Sequence, residues 1–175
     1  MFTKIRKTIV VVMCLSAIAI AASVSALAQN RPTAFSLRAI DGDTVTSESL
    51  RGEVVVLAFG ASWLPLSRNQ MEGVKKLADQ YAGRGVAAYW VSTDSESPKS
   101  KNYTSDDQLR DLARKYKVTI LRDSDGTVSK KLGVDQLPSI VIIDKQGNVS
   151  GAPIGGMDPT MNLATQLAPR LDKLL

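Results

Sequence analysis

The chain has 175 residues, with 22 basic and 17 acidic side chains, one cysteine and no histidine. Without histidine, the chain lacks the commonest general base and the commonest metal ligand. The single cysteine, Cys14, lies within the segment 1–28, so the remainder of the chain has no disulfide of its own and no thiol nucleophile.

The N-terminal segment 1–28 has the pattern of a secretory signal peptide. Basic residues between positions 4 and 7 precede an apolar run over residues 9–22, and Ala26-Leu27-Ala28 supplies a small–x–small cleavage pattern. Cleavage there makes Gln29 the mature N-terminus. The alternative is an uncleaved membrane anchor, because the segment 9–28 has about the length that spans a bilayer. Both alternatives place the folded part in the periplasm or otherwise outside the cytoplasm.

Removal of the segment 1–28 leaves positions 29–175, which are enough for one domain with a hydrophobic core. In this part the basic side chains barely outnumber the acidic ones, and so small a net charge gives no argument for a nucleic-acid partner. No Gly-rich phosphate motif follows any predicted strand. The segment 29–175 is therefore predicted to form one domain without a cofactor or a metal site.

The first elements in chain order alternate between strand and helix. The segments Phe35–Leu37 and Thr44–Thr46 flank Asp41-Gly42-Asp43, which predicts a hairpin with an Asp-Gly turn. Val54–Phe59 is a continuous apolar run, typical of a strand buried on both faces. Apolar residues at helical spacing then predict a helix over Ser67–Tyr81.

The remaining elements continue the alternation and end in a hairpin and a helix. They are a buried strand over 86–92, an exposed loop over 93–104, a helix over 105–116 capped by Ser105 and Gln108, a strand over 118–121, a turn over 123–126, a short helix ending at Leu132, strands over 139–143 and 148–154, and a final helix beginning at Asp158-Pro159. This order predicts an α/β fold, in which a central mixed β-sheet has helices on both faces and a hairpin at the N-terminus.

Three segments carry a family resemblance. They are the strand and loop over Val55–Trp63, the strand and loop over Val86–Asp94, and Gly133–Asp144 with Gly147. In this order and spacing, the segment 34–156 resembles the thioredoxin superfamily, and in particular its exported TlpA-like thiol–disulfide oxidoreductases. The resemblance implies a thioredoxin-like fold. The peroxiredoxin-like branch is the nearest competitor, but its proline-led cysteine motif is absent.

The redox motif of that family is not present in this chain. The family's Trp-Cys-x-x-Cys aligns with Trp63-Leu64-Pro65-Leu66-Ser67, and the glutamate often found downstream aligns with Gln70. Thiol exchange needs an attacking thiolate and a second sulfur, and neither leucine nor serine provides one. The resemblance therefore makes Leu64, Ser67 and Gln70 degenerate redox positions, and no catalytic residue is predicted.

Ser67 admits a purely structural interpretation. The chain has no histidine that could activate this hydroxyl as a nucleophile. The spacing Ser67-x-x-Gln70 is that of a helix capping box, in which the serine is the N-cap. The sequence therefore predicts that Ser67 caps the helix that follows it.

A binding surface is predicted around two prolines. Pro138 matches the cis-proline of thioredoxins, and the resemblance implies that the backbone of Leu137 pairs with an extended peptide. A purely structural turn is the alternative. The apolar cluster Trp63-Leu64-Pro65-Leu66 is a candidate binding surface if it is exposed beside Leu137 and Pro138. In the alternative, Leu64 and Leu66 turn inward as part of the core.

Two functions are consistent with these observations. The first is an exported thioredoxin-fold protein without redox cysteines, which binds a polypeptide partner in the cell envelope as a chaperone-like, scaffolding or assembly factor. The alternative is an enzyme, a thiol–disulfide oxidoreductase or a peroxiredoxin-like antioxidant protein that acts with thiols of a partner. A membrane is involved only if the signal segment is retained.

Overall fold

A seven-stranded mixed sheet forms the centre of the fold. The computed structural model describes residues 32–155 and 162–175, so the predicted signal peptide and the Asp158-Pro159 helix start lie outside the described residues. The strands are β1 (Ser36–Ala39), β2 (Thr44–Thr46), β3 (Val54–Gly60), β4 (Val86–Ser92), β5 (Ile120–Arg122), β6 (Ser139–Ile143) and β7 (Ile154–Gly155). Their order across the sheet is β2-β1-β5-β4-β3-β6-β7.

Strand β3 organises the sheet because all seven of its residues are buried. It pairs in parallel with β4 and antiparallel with β6. Alternate side chains point to opposite faces of a strand, and here Val54, Val56 and Ala58 enter one hydrophobic cluster while the residues between them enter another. The continuous apolar run is therefore explained by burial on both faces, as predicted.

Among the described residues, four helices cover the two faces of the sheet. They are α1 (Pro65–Gln80), α2 (Asp106–Tyr116), α3 (Thr127–Lys131) and α4 (Leu163–Leu171). Buried residues of α1, α2 and α4 join the cluster that contains Val54, and α3 contributes Val128 to the opposite cluster. The predicted α/β class, with a mixed sheet and helices on both faces, is confirmed. In the described part of the chain, no helix is both long and apolar enough to cross a bilayer.

Several predicted boundaries agree with the structure and others differ. The hairpin of β1 and β2 and the capping box of Ser105 with Gln108 are present. Helix α4 begins at Leu163, where the side chain of Asn162 accepts a hydrogen bond from the Ala164 N–H. The predicted strand over 148–154 is reduced to β7 and one bridge between Ile143 and Val149. Proline has no N–H for a ladder, and Pro153 directly precedes β7.

The prediction of an exposed loop over 93–104 is wrong for the two ends of that loop. Asp94 and Thr104 are buried. The guanidinium of Arg122, itself buried, donates hydrogen bonds to the backbone oxygens of Asp94 at 3.3 Å and Thr104 at 3.0 Å. A buried cation needs such partners, and they draw both ends of the loop onto the sheet.

A prediction concerns the close contact between α1 and α4. A Cβ atom at Gly73 would lie 2.7 Å from the Leu163 Cβ. We expect Gly73→Ala to lower the free energy of unfolding by about 1–3 kcal/mol, because overpacking outweighs the better helix propensity of alanine. Urea denaturation measures this difference. Glu72→Ala, at an exposed position of the same helix, is the control and is expected to stay within about 0.5 kcal/mol of the parent chain. A stabilised Gly73→Ala chain would contradict the expectation.

Candidate functional site: an apolar groove beside the start of helix α1

The candidate site lies where β3 and β4 end. Parallel strands bring their carboxyl ends to one edge of a sheet, and β3 pairs with β4 through Gly60 and Ser92. Residues 61–64 connect β3 to α1 at this edge, and Thr93 donates its backbone N–H to the Gly60 oxygen at 2.9 Å. The predicted positions Trp63 and Leu64 therefore lie on the loop between β3 and α1.

Ala61 is buried, but the apolar side chains from Trp63 to Leu66 are not part of the core. Trp63 is 63% exposed and Leu66 is 41% exposed, and Leu137 across the site is 38% exposed. Leu64 is half-buried and Pro65 is exposed. In the structure, Leu64 and Leu66 do not turn inward as part of the core.

A groove of about 370 Å³ runs between this loop and the segment before β6. Of the predicted binding residues, it brings together Trp63, Leu64 and Leu137, whereas Pro65, Leu66 and Pro138 do not line it. The peptide bond between Leu137 and Pro138 is cis, as the resemblance implies. The lining residues that sequence reasoning missed are Thr93, Ser129, Lys130, Val134, Asp135 and Gln136.

The prediction that Ser67 caps helix α1 is wrong. The helix begins at Pro65 and its N-cap is Leu64, which makes no side-chain cap. Proline suits the first helical position, since its fixed φ is helical and it has no N–H to satisfy. Ser67 consequently falls inside the first turn and is buried, and its hydroxyl donates to the Ala61 oxygen at 2.6 Å.

Gln70 joins a buried network beneath the loop. Its Oε1 accepts a hydrogen bond of 2.9 Å from the indole N–H of Trp90, and its Nε2 donates to the backbone oxygens of Phe59 at 3.3 Å and Ser139 at 3.4 Å. A Cβ atom at Gly60 would lie only 2.8 Å from Oε1 of Gln70. The missing side chain of Gly60 thus leaves the space that this amide occupies.

A second buried network holds the loop from the side of β4. The carboxylate of Asp94, which is fully buried, accepts hydrogen bonds from the backbone N–H and the hydroxyl of Ser62. Sequence reasoning treated Asp94 only as the end of a matching segment. The available signal was its position just after a parallel strand, which places it at the same sheet edge as the residues after β3.

The outer side of that network is charged. Asp106 accepts hydrogen bonds from Arg38 and from Arg122, and the bonds from Arg38 first and Arg122 second hold the pKa of this carboxyl below its ordinary value. Arg38 also pairs with Glu96 at 2.6 Å. These ion pairs fix the N-terminal end of α2 beside β5. Among the described residues, no ion pair forms in the groove itself.

The chemistry open to this site follows from its side chains. The hydroxyls of Ser62 and Ser67 are held in hydrogen bonds, and no histidine exists to activate them. Over residues 32–155 and 162–175, no three side chains of the metal-ligating types come together. The carboxylates of Asp123 and Asp125, in the predicted turn, accept backbone N–H groups at the start of α3. The groove offers apolar contact and hydrogen bonds.

Comparison with known proteins agrees with this arrangement. YneN, a thioredoxin-like protein of Bacillus subtilis, is 28% identical over 125 residues, which are 70% of this chain and 69% of that protein. The thiol:disulfide interchange protein DsbE of Pseudomonas aeruginosa is 30% identical over 131 residues, which are 75% of this chain and 67% of that protein.

Solved structures give the same result. The structure of MTB dsbF in its mixed oxidized and reduced forms has a TM-score of 0.62 and 27% identity, and the match covers 81% of this chain and 95% of that one. A secreted disulfide oxidoreductase of Mycobacterium tuberculosis also has a TM-score of 0.62, over 80% of this chain and 96% of that one. Its identity is 20%, so this likeness shows the fold alone.

A strand that runs into a helix beside a cis-proline, on this sheet, defines a thioredoxin-like protein. The chain belongs to the AhpC/TSA family, which it matches over residues 28–152. The predicted resemblance to thiol–disulfide oxidoreductases of the TlpA-like type is confirmed by these relatives.

A prediction concerns the buried amide of Gln70. In Gln70→Glu, a neutral carboxyl can still accept from Trp90 and donate to one backbone oxygen, whereas an ionised one faces the oxygens of Phe59 and Ser139. Burial and these oxygens should raise the folded-state pKa above about 4.3, the unfolded value. The variant is then expected to match the parent chain near pH 4 and to lose about 1.4 kcal/mol for each unit of that pKa rise once the pH exceeds both values.

The measurement is urea unfolding of variant and parent chain at about pH 4 and about pH 8. Gln80→Glu is the matched control, because Gln80 is exposed at the end of the same helix. Its difference from the parent chain should change little between the two pH values. A Gln70→Glu difference that is equally independent of pH would contradict the expectation.

Proposed function

We propose that this chain is an exported thioredoxin-fold protein that binds a polypeptide segment in the groove and performs no redox chemistry of its own. The observation that carries the proposal is the exposure of Trp63 and Leu137 on either side of a groove. Exposed apolar side chains that line one concave surface favour a binding site, whereas scattered ones need no explanation.

The chemistry of the loop supports the non-catalytic part of the proposal. The two positions that align with the family's cysteines are Leu64 and Ser67, and no cysteine occurs after Cys14. Ser67 and Gln70 are held by hydrogen bonds to backbone and to Trp90. Side chains committed to such bonds stabilise the loop, and none of them is a nucleophile with an adjacent base.

The backbone of Leu137 supports recognition of a polypeptide. Among residues 32–155 and 162–175, neither the N–H nor the C=O of Leu137 bonds to another backbone group. Unpaired backbone groups at an exposed segment can take up an extended peptide by strand-like hydrogen bonds. The apolar walls formed by Trp63, Leu64 and Val134 would then receive a side chain of that peptide.

The proposed cellular role rests on the predicted location of the protein outside the cytoplasm. A basic leader, an apolar run and a small–x–small pattern within the segment 1–28 support export. An exported protein that binds polypeptides without modifying them fits a chaperone-like, scaffolding or assembly role in the cell envelope.

A prediction tests the groove with an unfolded polypeptide, reduced and carboxymethylated α-lactalbumin. We expect Trp63→Asp and Leu137→Asp each to weaken binding by at least about tenfold, because each change places a charge on an apolar wall and loses about 1.4 kcal/mol or more. Fluorescence anisotropy of the labelled polypeptide measures the dissociation constant.

Tyr103→Asp is the matched control for this prediction. Tyr103 is 40% exposed, close to the exposure of Leu137, but it does not line the groove. Binding by Tyr103→Asp should equal that of the parent chain. Equal losses in all three variants would mean that binding occurs elsewhere, and no loss in any of them would refute the proposed groove.

The second candidate function is an oxidoreductase that acts with thiols of a partner. The specific observation in its favour is that relatives such as DsbE of Pseudomonas aeruginosa are named as thiol:disulfide interchange proteins. Insulin reduction and peroxide consumption by the mature chain distinguish the two candidates. Turnover above a control without protein would favour this second function.

A further prediction asks whether the frame of the loop still supports thiol chemistry. Leu64 and Ser67 lie on either side of the first positions of α1, at the spacing of the family's cysteines. We expect Leu64→Cys with Ser67→Cys to form an intramolecular disulfide and to reduce insulin, while the parent chain does not. The control is Leu66→Cys with Ser67→Cys, whose adjacent positions should give neither result. A double variant that stays reduced under oxidising conditions would contradict the expectation.

A further inference from the structure

The exposed Trp63 side chain is held in place by few contacts of its own. It is 63% exposed and belongs to neither hydrophobic cluster. Its direction is therefore set by the backbone of the loop that carries it. That backbone has two close ties before α1 begins, a hydrogen bond from the Leu64 N–H to the Ala61 oxygen and a hydrogen bond from the Ser62 N–H to Asp94.

The second tie comes from the loop after β4 and is made by the side chain of Asp94. Oδ2 of Asp94 accepts from the Ser62 N–H at 2.8 Å, and Oδ1 accepts from the Ser62 hydroxyl at 3.1 Å. Ser92 donates its hydroxyl to Oδ2 at 2.7 Å. A buried carboxylate needs several donors, and two of these three come from the residue directly before Trp63.

Asp94 is itself held in place by hydrogen bonds of its backbone. Its backbone N–H donates to the Ser92 hydroxyl at 3.2 Å, and its backbone oxygen accepts from the buried Arg122. The neighbouring Thr93 is bonded to Gly60 through both its backbone N–H and its hydroxyl. The carboxylate is thus a rigid point in the loop after β4, to which the more exposed Ser62 is attached.

We propose that Asp94 is the positioning residue of the groove: its buried carboxylate holds Ser62, and through it holds Trp63 at the rim in the direction that a bound peptide requires. Asp94 does not line the groove. Its effect on affinity rests on the proposed function, whereas its effect on the direction of Trp63 does not.

Three substitutions separate positioning from general stability. Asp94→Ala removes every hydrogen bond that the carboxylate makes to the loop. Asp94→Asn can keep them, because its oxygen can accept at the Oδ2 position while its NH₂ donates to the Ser62 hydroxyl, which accepts as readily as it donates. Asp144→Ala is the matched control, since it removes a carboxylate that accepts three hydrogen bonds in the turn after β6, at the opposite end of the sheet from Ser62.

The experiment reads the indole N–H signals of the full mature chain by two-dimensional NMR. The chain has two tryptophans, Trp63 and Trp90, and Trp63→Phe assigns their signals. We expect Asp94→Ala to shift or broaden the Trp63 signal while the Trp90 signal stays in place. Asp94→Asn and Asp144→Ala should leave both signals near their original positions.

Affinity for carboxymethylated α-lactalbumin is measured on the same samples. The dissociation constant should rise at least about tenfold in Asp94→Ala and less than about threefold in the other two. If Asp94→Ala does not fold, Ser62→Ala takes its place, because it removes the hydroxyl bonds at a partly exposed residue. It should shift or broaden the Trp63 signal while the Trp90 signal stays in place.

The outcomes distinguish this proposal from the proposed function. An unchanged Trp63 signal in Asp94→Ala, or a shift equally large in Asp144→Ala, overturns the positioning role even if the polypeptide binds. If the parent chain does not bind the polypeptide while Asp94→Ala displaces the Trp63 signal, the proposed function is wrong and the positioning role stands.

Discussion

The hydrogen bond between the Trp90 indole and the Gln70 amide is the interaction on which the site depends. Trp90 is fully buried between the sheet and α1, and a buried indole N–H must find an acceptor. Only a helix that starts close above β3 can bring Gln70 there, and only glycine at position 60 leaves room for its amide. The buried hydrogen bonds of Gln70 therefore fix the start of α1 together with the apolar packing of the helix against the sheet.

The position of α1 in turn decides what the preceding loop can do. Because the helix begins at Pro65, Ser67 lies in the interior, whereas Trp63 is exposed and Leu64 is half-buried. As a result, polar side chains lie beneath the loop and apolar side chains lie on its exposed side. A redox loop would need a reactive sulfur at its surface, whereas this loop presents Trp63 and Leu64 to a groove.

Rigidity beneath the loop gives the exposed surface a defined shape. Asp94 ties the loop to β4, and Arg122 ties the segment after β4 to the sheet and to Asp106. Burial of the Asp94 carboxylate and of the Arg122 guanidinium costs free energy unless they keep their polar partners, so the networks have little freedom to rearrange. A groove whose walls are fixed in this way loses less of its binding energy to ordering its own side chains.

The sequence by itself determined the alternation of elements and the two-sided burial of β3, because hydrophobic periodicity and turn residues are local properties. The family was indicated by resemblance, through the order of the segments Val55–Trp63, Val86–Asp94 and Gly133–Asp144. It also showed directly that no thiol or histidine is available after Cys14. The pattern Ser67-x-x-Gln70 gave a wrong prediction of a helix cap, since a capping box and a buried turn have the same local spacing. Only the tertiary structure assigned Gln70 to Trp90 and Asp94 to Ser62, because the partners of buried polar groups are distant in sequence and are chosen by packing.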